Sequence, residues 1–226
     1  MIATATFRLH PLPEVSETLL IRNQSASSVR KLIAEMRLAQ LEVAAVAAIA
    51  ERSGFDVAVR LEGFRAGVVE QCDRLSVLLR SGGCEALDAD NARRLWLRHD
   101  AIRSAGPLRL KIAALPSAIE TLSDKVIPPL LGAMTNGGFV WYPMPGAGFV
   151  TGTPADDQRM AAAIRSAREL LVKARGSLTI EAAPFALRKL VNIWDEPGGS
   201  FSLMKAMKLK FDPGRRLAPG RFVGGL

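Results

Sequence analysis

The sequence predicts an α+β protein built as a duplicated ferredoxin-like sandwich, in which split β-α-β units form an antiparallel sheet of about eight strands with helices on one face. Segments in which apolar and polar residues alternate are followed by segments that carry an apolar stripe at helical spacing. The order strand, helix, strand occurs twice in each of two halves, at about residues 1–88 and 105–183. A chain of 226 residues with 49% hydrophobic side chains can bury a core of this size.

The first half contains four predicted strands and two predicted helices. Ala5, Phe7 and Leu9 alternate with polar neighbours and predict the first strand. Ser25 is the predicted amino-terminal cap of a helix, because a serine oxygen accepts well from the free N–H groups of a first turn. The buried stripe of that helix is predicted to be Val29, Leu32, Ile33 and Met36. The later elements are strands at 43–50 and 57–62, a helix at 64–81 and a short strand at 84–87.

The second half repeats this order after a polar connecting helix, which Asp88 or Asp90 is predicted to cap. Ser117 and Glu120 form a predicted capping box for the next helix. Thr153 and Pro154 predict the cap and the first turn of a further helix. The predicted bounds are strands at 108–113, 139–142, 148–151 and 178–182, and a helix at 156–175.

Several classes of function are disfavoured by the composition. The net charge of +8 is spread along the chain without the interleaved aromatic residues that stack on bases, so we expect no nucleic-acid partner. No apolar run reaches the length of a membrane span. Cys72 and Cys84 are predicted to be reduced thiols, with a disulfide between them as the alternative. His10 and His99 fit neither a nucleophilic triad nor a metal site, and the sequence assigns no catalytic residue.

Two cations on one strand are candidates for substrate binding. Arg109 and Lys111 are two residues apart and therefore lie on the same face of the predicted strand at 108–113. If this face lines a cleft, the two side chains could hold the carboxylate of a 2-hydroxy acid. The alternative is a solvent-exposed strand face, because such faces are commonly charged.

The last 24 residues carry a distinctive series of short motifs. A basic helix that includes Leu203-Met204-Lys205 is followed by Phe211-Asp212-Pro213 and then by Leu217-Ala218-Pro219-Gly220-Arg221-Phe222 and Gly224-Gly225. This order resembles the carboxy-terminal signature of FAD-linked oxidases of the vanillyl-alcohol oxidase type. It is most similar to the FAD-binding subunits of glycolate oxidases, in which Asn usually stands where this chain has Ala218.

The resemblance implies a cap domain with a carboxy-terminal flavin-side segment at about 184–226, and an amino-terminal FAD pyrophosphate-binding domain that is absent. It also implies that Arg221, Gly220 and Pro219 contact the flavin or the nucleotide domain, with turn capping alone as the alternative for Arg221. Trp194 is expected to pack between domains or in the core. No glycine-rich pyrophosphate loop is found, since the glycines at 146–152 predict a hairpin turn. We therefore expect this chain alone to be inactive and not to bind FAD tightly.

The complete enzyme implied by the resemblance oxidises glycolate to glyoxylate with FAD and passes electrons to an iron–sulfur partner subunit. Its expected location is cytoplasmic, with peripheral attachment to a membrane through partner subunits as the alternative. A ferredoxin-like module that binds small molecules or forms oligomers without catalysis is the other function that the sequence leaves open.

Overall fold

The computed structural model describes residues 4–7, 11–79 and 83–226, which divide into two compact units, Met1–Trp96 and Leu97–Leu226. Helix α3, at Ala89–Ser104, contributes residues to both units. The other elements of the first unit are strands β1 (Val15–Gln24), β2 (Ala45–Glu51), β3 (Gly54–Gly63) and β4 (Glu85–Leu87) and helices α1 (Ala26–Leu38) and α2 (Arg65–Leu78).

The second unit contains the other four strands. They are β5 (Leu108–Ala113), β6 (Met134–Tyr142), β7 (Ala147–Pro154) and β8 (Ser177–Ala182). A continuous irregular helical stretch consists of a 3-10 turn (Pro116–Ala118), α4 (Ile119–Thr121), a π turn (Leu122–Val126) and α5 (Ile127–Gly132). It is followed, further along the chain, by α6 (Asp157–Lys173), α7 (Phe185–Arg188), α8 (Phe201–Phe211) and a 3-10 turn (Val223–Gly225).

Each unit has the strand order of a ferredoxin-like sandwich. Read from the outer edge strand inward, the order is β4-β1-β3-β2 in the first unit and β8-β5-β7-β6 in the second. The strand pairs whose register is defined within each unit are antiparallel. The predicted fold class, an α+β protein with eight antiparallel strands in two repeated split β-α-β halves, is confirmed.

Two helices of each repeat share one face of its sheet. Helices α1 and α2 contact each other and β3, while α5 and α6 contact each other and the strands of the second unit. The predicted helices at 64–81 and 156–175 correspond to α2 and α6, in equivalent places of the two repeats. The side chains predicted to be buried on α1, from Val29 to Met36, are all buried.

Helix α3 lies on the opposite face, where the sequence predicted only a connector. In the first unit, Trp96 Nε1 donates to Thr18 Oγ1 at 3.1 Å, and the Arg60 guanidinium lies 4.7 Å from the centre of the Trp96 ring. Thr18 and Leu19 point to opposite faces, because successive strand residues alternate. The sheet is therefore covered on both faces, by α1 and α2 on one side and by α3 on the other.

The predicted first strand at 5–9 is wrong over its described residues. Residues 4–7 lie outside any strand, and 8–10 are outside the described part of the chain. The first strand is Val15–Gln24, which pairs with β3 from Val15 opposite Gly63 onward. Its buried run, Thr18 to Ile21, does not alternate because both faces of this strand are covered.

Two predicted helix starts also differ from the structure. The helical stretch near Ser117 begins at Pro116, so Ser117 lies inside the first turn and no side-chain cap is formed there. Pro154 is the last residue of β7, and the cap of α6 is Asp156, whose carboxylate accepts from Arg159 N at 2.7 Å. Asp88 does accept from Asn91 N at 2.8 Å, which confirms one of the two predicted caps of α3.

The glycines predicted as a hairpin turn are divided between the turn and strand β7. Gly146 has φ 68°, and its N–H donates to Tyr142 O at 3.0 Å across the turn. Gly148 lies in β7 opposite Trp141, a fully buried residue. A Cβ atom at Gly148 would lie 2.8 Å from Trp141 Cε3 and 2.9 Å from Phe139 Cε2. Glycine is therefore required here by close packing of two aromatic rings.

Gly148→Ala should lower the free energy of unfolding by about 1–3 kcal/mol, because the added methyl overpacks the rings of Phe139 and Trp141. Gly67→Ala is the matched control. A Cβ there meets nothing within 4 Å, and the residue lies in α2. The control should leave stability unchanged or raise it by up to about 1 kcal/mol. Urea unfolding of the two variants measures both values, and equal stabilities would contradict the packing argument.

Candidate functional site

A cavity of the second unit has a volume of about 1160 Å³. Strands β5 and β8 line one side, the segment 191–197 lines another, and the carboxy-terminal tail closes it. Its polar and charged wall includes Lys111, Ser177, Thr179, Glu181, Arg188, Asn192, Glu196 and Arg221. The cavity thus joins a strand residue predicted to bind substrate with a tail residue predicted to contact a flavin.

The segment 191–197 is fixed to the sheet by a mostly buried ion pair. Arg168 Nε lies 2.6 Å from Asp195 Oδ1, and the two side chains are only 15% and 23% exposed. Asp195 Oδ2 also accepts from Leu178 N at 2.7 Å. Ile180 N donates to Ile193 O at 2.9 Å, and Arg168 donates to the same carbonyl oxygen at 3.1 Å. One wall of the cavity is therefore held to β8 by two hydrogen bonds and to α6 by two contacts of Arg168.

Burial acts against the charged form of both members of this pair. It raises the pKa of Asp195 above its ordinary value, an effect opposed by the bonds from Leu178 and Arg168. Burial likewise lowers the pKa of Arg168, while Asp195 and Glu196 act in the opposite direction. Removing one partner of such a pair strongly destabilises the fold, because the other charge is left without compensation.

The carboxy-terminal segment is organised by Asp212, the acidic residue of the Phe-Asp-Pro motif. Its carboxylate accepts from Arg216 N at 2.8 Å and from Leu217 N at 2.9 Å, and it lies 2.7 Å from Lys208 Nζ. The Lys208 hydrogen bond and the two backbone donors lower the pKa of Asp212 to about 2. The motif is thus a carboxylate-centred turn that reverses the chain after α8.

The tail returns to the cavity through an aromatic contact. Trp194 and Phe222 have ring centres 5.2 Å apart in an edge-to-face arrangement, and Trp194 Nε1 donates to Arg221 O at 3.3 Å. Gly220 has φ 71° and Ala218 has φ 45°, both in the left-handed region. The Asn that usually occupies the position of Ala218 in the resembled oxidases tolerates this region better than Ala.

The predicted site residues fall in different places. Lys111, Gly220 and Arg221 line the large cavity, and Pro219 lines a smaller one on the other side of the tail. Arg109 lines neither of them, although it shares a strand face with Lys111. In the sheet it lies between Thr151 and Ala182.

Sequence reasoning missed several residues of the cavity wall. Arg188 is the last residue of α7, and this helix of four residues is too short to show an apolar stripe. Glu181 and Thr179 lie on the same face of β8, which alternates with the buried Leu178 and Ile180. That alternation could have identified this polar face. The loop from 189 to 200 has no periodicity from which its position could be inferred.

A second group of polar residues joins α3 to the sheet of the second unit, next to the large cavity. His99 Nε2 lies 2.5 Å from the Tyr142 hydroxyl, and His99 Nδ1 lies 2.9 Å from Asp100 Oδ1. The Arg103 guanidinium lies 3.4 Å from the centre of the Phe149 ring and 3.5 Å from Glu181, a cavity residue. Burial raises the pKa of Tyr142. The buried contacts of His99 were not predicted from the sequence.

The cysteines and the metal-ligand residues add no further site within the described ranges. Cys72 and Cys84 are both free, as predicted, and burial raises the pKa of each thiol. The described part of the chain contains no group of three or more residues that could hold a metal ion. None of its helices is both long and apolar enough to cross a membrane.

Comparison with solved structures shows a similar fold in alkyldihydroxyacetonephosphate synthase. One structure has a TM-score of 0.54 at 10% sequence identity, covering 90% of this chain and 44% of the synthase chain. A second structure of that protein gives a TM-score of 0.48 with the same coverage. The chain thus spans less than half of the length of the synthase. No protein-family model matches the sequence, and no curated protein matches it.

The turn at Asp212 should respond to pH in a defined direction. Because its pKa in the folded chain, about 2, lies below the ordinary value near 3.8, its stabilising contribution is complete above about pH 4 and is lost as pH falls toward 2. The amide proton shifts of Arg216 and Leu217 should follow this titration in NMR spectra. The titration should disappear in Asp212→Asn and persist in the control Asp124→Asn, an exposed carboxylate. A midpoint near 3.8 would contradict the assigned contacts.

Ala218→Asn should strengthen the tail, because Asn adopts the left-handed backbone region at lower cost than Ala. Arg221 N donates to Ala218 O at 3.3 Å, so protection of the Arg221 amide against hydrogen exchange reports on this turn. We expect a gain of a few tenths to about 1 kcal/mol. Ala206→Asn, at an exposed position of α8, should instead lower stability by about 0.5 kcal/mol. Losses in both variants would show that the left-handed conformation at 218 is not retained.

Proposed function

We propose that this chain is the cap and carboxy-terminal part of a flavin-dependent oxidase or dehydrogenase for 2-hydroxy acids, with glycolate as the substrate and glyoxylate as the product. The observation that supports this most strongly is the presence of Lys111 and Arg221 in the wall of one cavity. The similarity to alkyldihydroxyacetonephosphate synthase supports the same fold, in a chain of which this one spans less than half.

The cavity wall suits a small hydroxy acid. Lys111, Arg188 and Arg221 supply three cations for a carboxylate, of which the two guanidinium groups can bind it through two parallel hydrogen bonds. Ser177 and Thr179 add hydroxyl groups that can bond to a substrate hydroxyl. Glu181, Asp195 and Glu196 also line this wall, and Arg103 and Arg168 lie 3.5 Å and 2.6 Å from the carboxylates of Glu181 and Asp195. These acidic side chains limit the net positive charge, so a monoanion is a better match than a highly charged ligand.

The tail residues fit the edge of a flat cofactor. Gly220 lies at the cavity wall, and a Cβ atom at this position would meet nothing within 4 Å, which leaves open space for a ring to approach the backbone. Arg221 follows this glycine in the same wall and would contact the same group, while Pro219 lines the smaller cavity on the other side of the tail. A bound FAD would supply the acceptor for the hydride, and an iron–sulfur partner subunit would receive the electrons. The residues of this chain would bind and orient the substrate.

Titration of glycolate into the chain, followed by NMR, tests the substrate assignment. We expect a dissociation constant on the order of 1 mM, with the largest shifts at Lys111, Thr179 and Arg221. Lys111→Met should weaken binding about tenfold, the effect of losing about 1.4 kcal/mol. Arg109→Met is the matched control, since Arg109 shares the strand face but not the cavity, and it should change binding by less than about twofold.

The flavin assignment is tested separately by titration of FAD into the same protein. Without a pyrophosphate-binding domain, we expect binding weaker than about 10 μM. Tight, stoichiometric FAD binding would overturn the proposed division of the enzyme into domains. Glycolate binding that is equal in Lys111→Met and the unchanged chain would overturn the proposed substrate site.

An oligomerisation module is the second candidate, and the surface of α8 favours it. Leu203, Met207 and Phe211 lie one turn apart and are 63%, 53% and 73% exposed. No residue of this helix is buried. A stripe of this kind is typical of a helix that packs against another protein surface. Sedimentation that shows a stable dimer, lost in Met207→Lys, would support this candidate.

A further inference from the structure

A smaller cavity lies between α8 and the tail and is separate from the substrate cavity. Its volume is about 250 Å³, and its wall includes Phe201, Lys205, Lys208, Leu209 and Arg215. Gly220, Gly224 and Gly225 line both cavities, so the tail forms the partition between them. None of the residues that line the smaller cavity has an acidic side chain.

The cations of this cavity differ in whether they are already compensated. Lys208 lies 2.7 Å from Asp212 Oδ2, and it donates to Leu217 O at 2.6 Å. Lys205 and Arg215 make no ion pair within the described part of the chain. The cavity therefore holds two uncompensated positive charges. The terminal residue Leu226 also lines it, and even a carboxylate at that residue would leave an excess of positive charge.

The floor of the cavity is fixed by close packing. A Cβ atom at Gly224 would lie 2.4 Å from the ring of Phe201, so the tail backbone lies directly against this ring. At Gly220 and Gly225, by contrast, a Cβ atom would meet nothing within 4 Å. The opening between α8 and the tail is thus preformed, with bare backbone on one side and long basic side chains on the other.

We propose that this cavity binds a phosphate group. A doubly charged anion balances Lys205 and Arg215, and a guanidinium group matches the geometry of phosphate oxygens. A volume of 250 Å³ holds a phosphate or pyrophosphate group, while a single carboxylate would leave much of the space and one of the cations unused. Both a phosphorylated small molecule and a phospholipid headgroup have this chemistry. The proposal does not depend on the oxidase assignment, because Lys111 lines only the other cavity.

Calorimetric titration with inorganic pyrophosphate at low ionic strength tests the proposal. Lys205→Gln combined with Arg215→Gln should weaken binding by at least about tenfold, because both uncompensated charges are removed. Lys210→Gln is the matched control, since Lys210 lies on the same helix but does not line the cavity, and it should change binding by less than about twofold. Amide shifts of Leu209 and Leu226, which line the smaller cavity but not the larger one, report the location of added pyrophosphate and do not depend on the folding of the variants.

Flotation with vesicles of phosphatidylglycerol or of phosphatidylcholine distinguishes the two sources of phosphate. Pyrophosphate binding that the double variant abolishes supports a soluble phosphorylated ligand. Binding only to phosphatidylglycerol vesicles, again lost in the double variant, supports a lipid headgroup. Equal binding by the double variant and the Lys210→Gln control, or no shift at Leu209 and Leu226, would overturn the proposal. The glycolate titration with Lys111→Met tests the other cavity, so its outcome is independent of the outcome of this experiment.

Discussion

The buried contact between Arg168 and Asp195 is the interaction on which the candidate site most depends. It joins α6, the edge strand β8 and the segment that carries Trp194. Trp194 in turn packs against Phe222 and donates to Arg221 O, so the position of the tail follows from the position of this ion pair. Tail residues line both cavities, so the shapes of both depend on the Arg168–Asp195 pair. This pair does not itself line the smaller cavity.

The two repeats show how burial on both faces shapes the sequence of a strand. In β1, Leu19 and Leu20 are both buried although their side chains point in opposite directions. In β5, the buried Leu108, Leu110 and Ile112 alternate with Arg109 and Lys111, because much of the other face is left open over the cavity. The difference between continuous and alternating apolar runs therefore indicates where the sheet is accessible and where α3 covers it.

The fold was largely predictable from sequence, because its period-2 and helical patterns are local. Strands such as β5 and helices such as α1 follow directly from those patterns. The strand predicted at 5–9 was wrong, and the actual first strand, β1, was missed because its buried run does not alternate. The site was predicted only in part. Lys111 and Arg221 could be nominated, but their meeting in one cavity depends on a loop that is held by Asp195 and has no periodic pattern.

The segment after α7 also protects the edge of the sheet against self-association. Strand β8 is an edge strand, and exposed N–H groups at an edge invite pairing with a strand of another molecule. Leu178 N and Ile180 N are instead bonded to the Asp195 carboxylate and the Ile193 carbonyl. The loop thus blocks this edge as a template for intermolecular β-pairing. A chain that loses Asp195 would leave the Leu178 N–H without its acceptor and become more prone to aggregate through β8, even where its core remains folded.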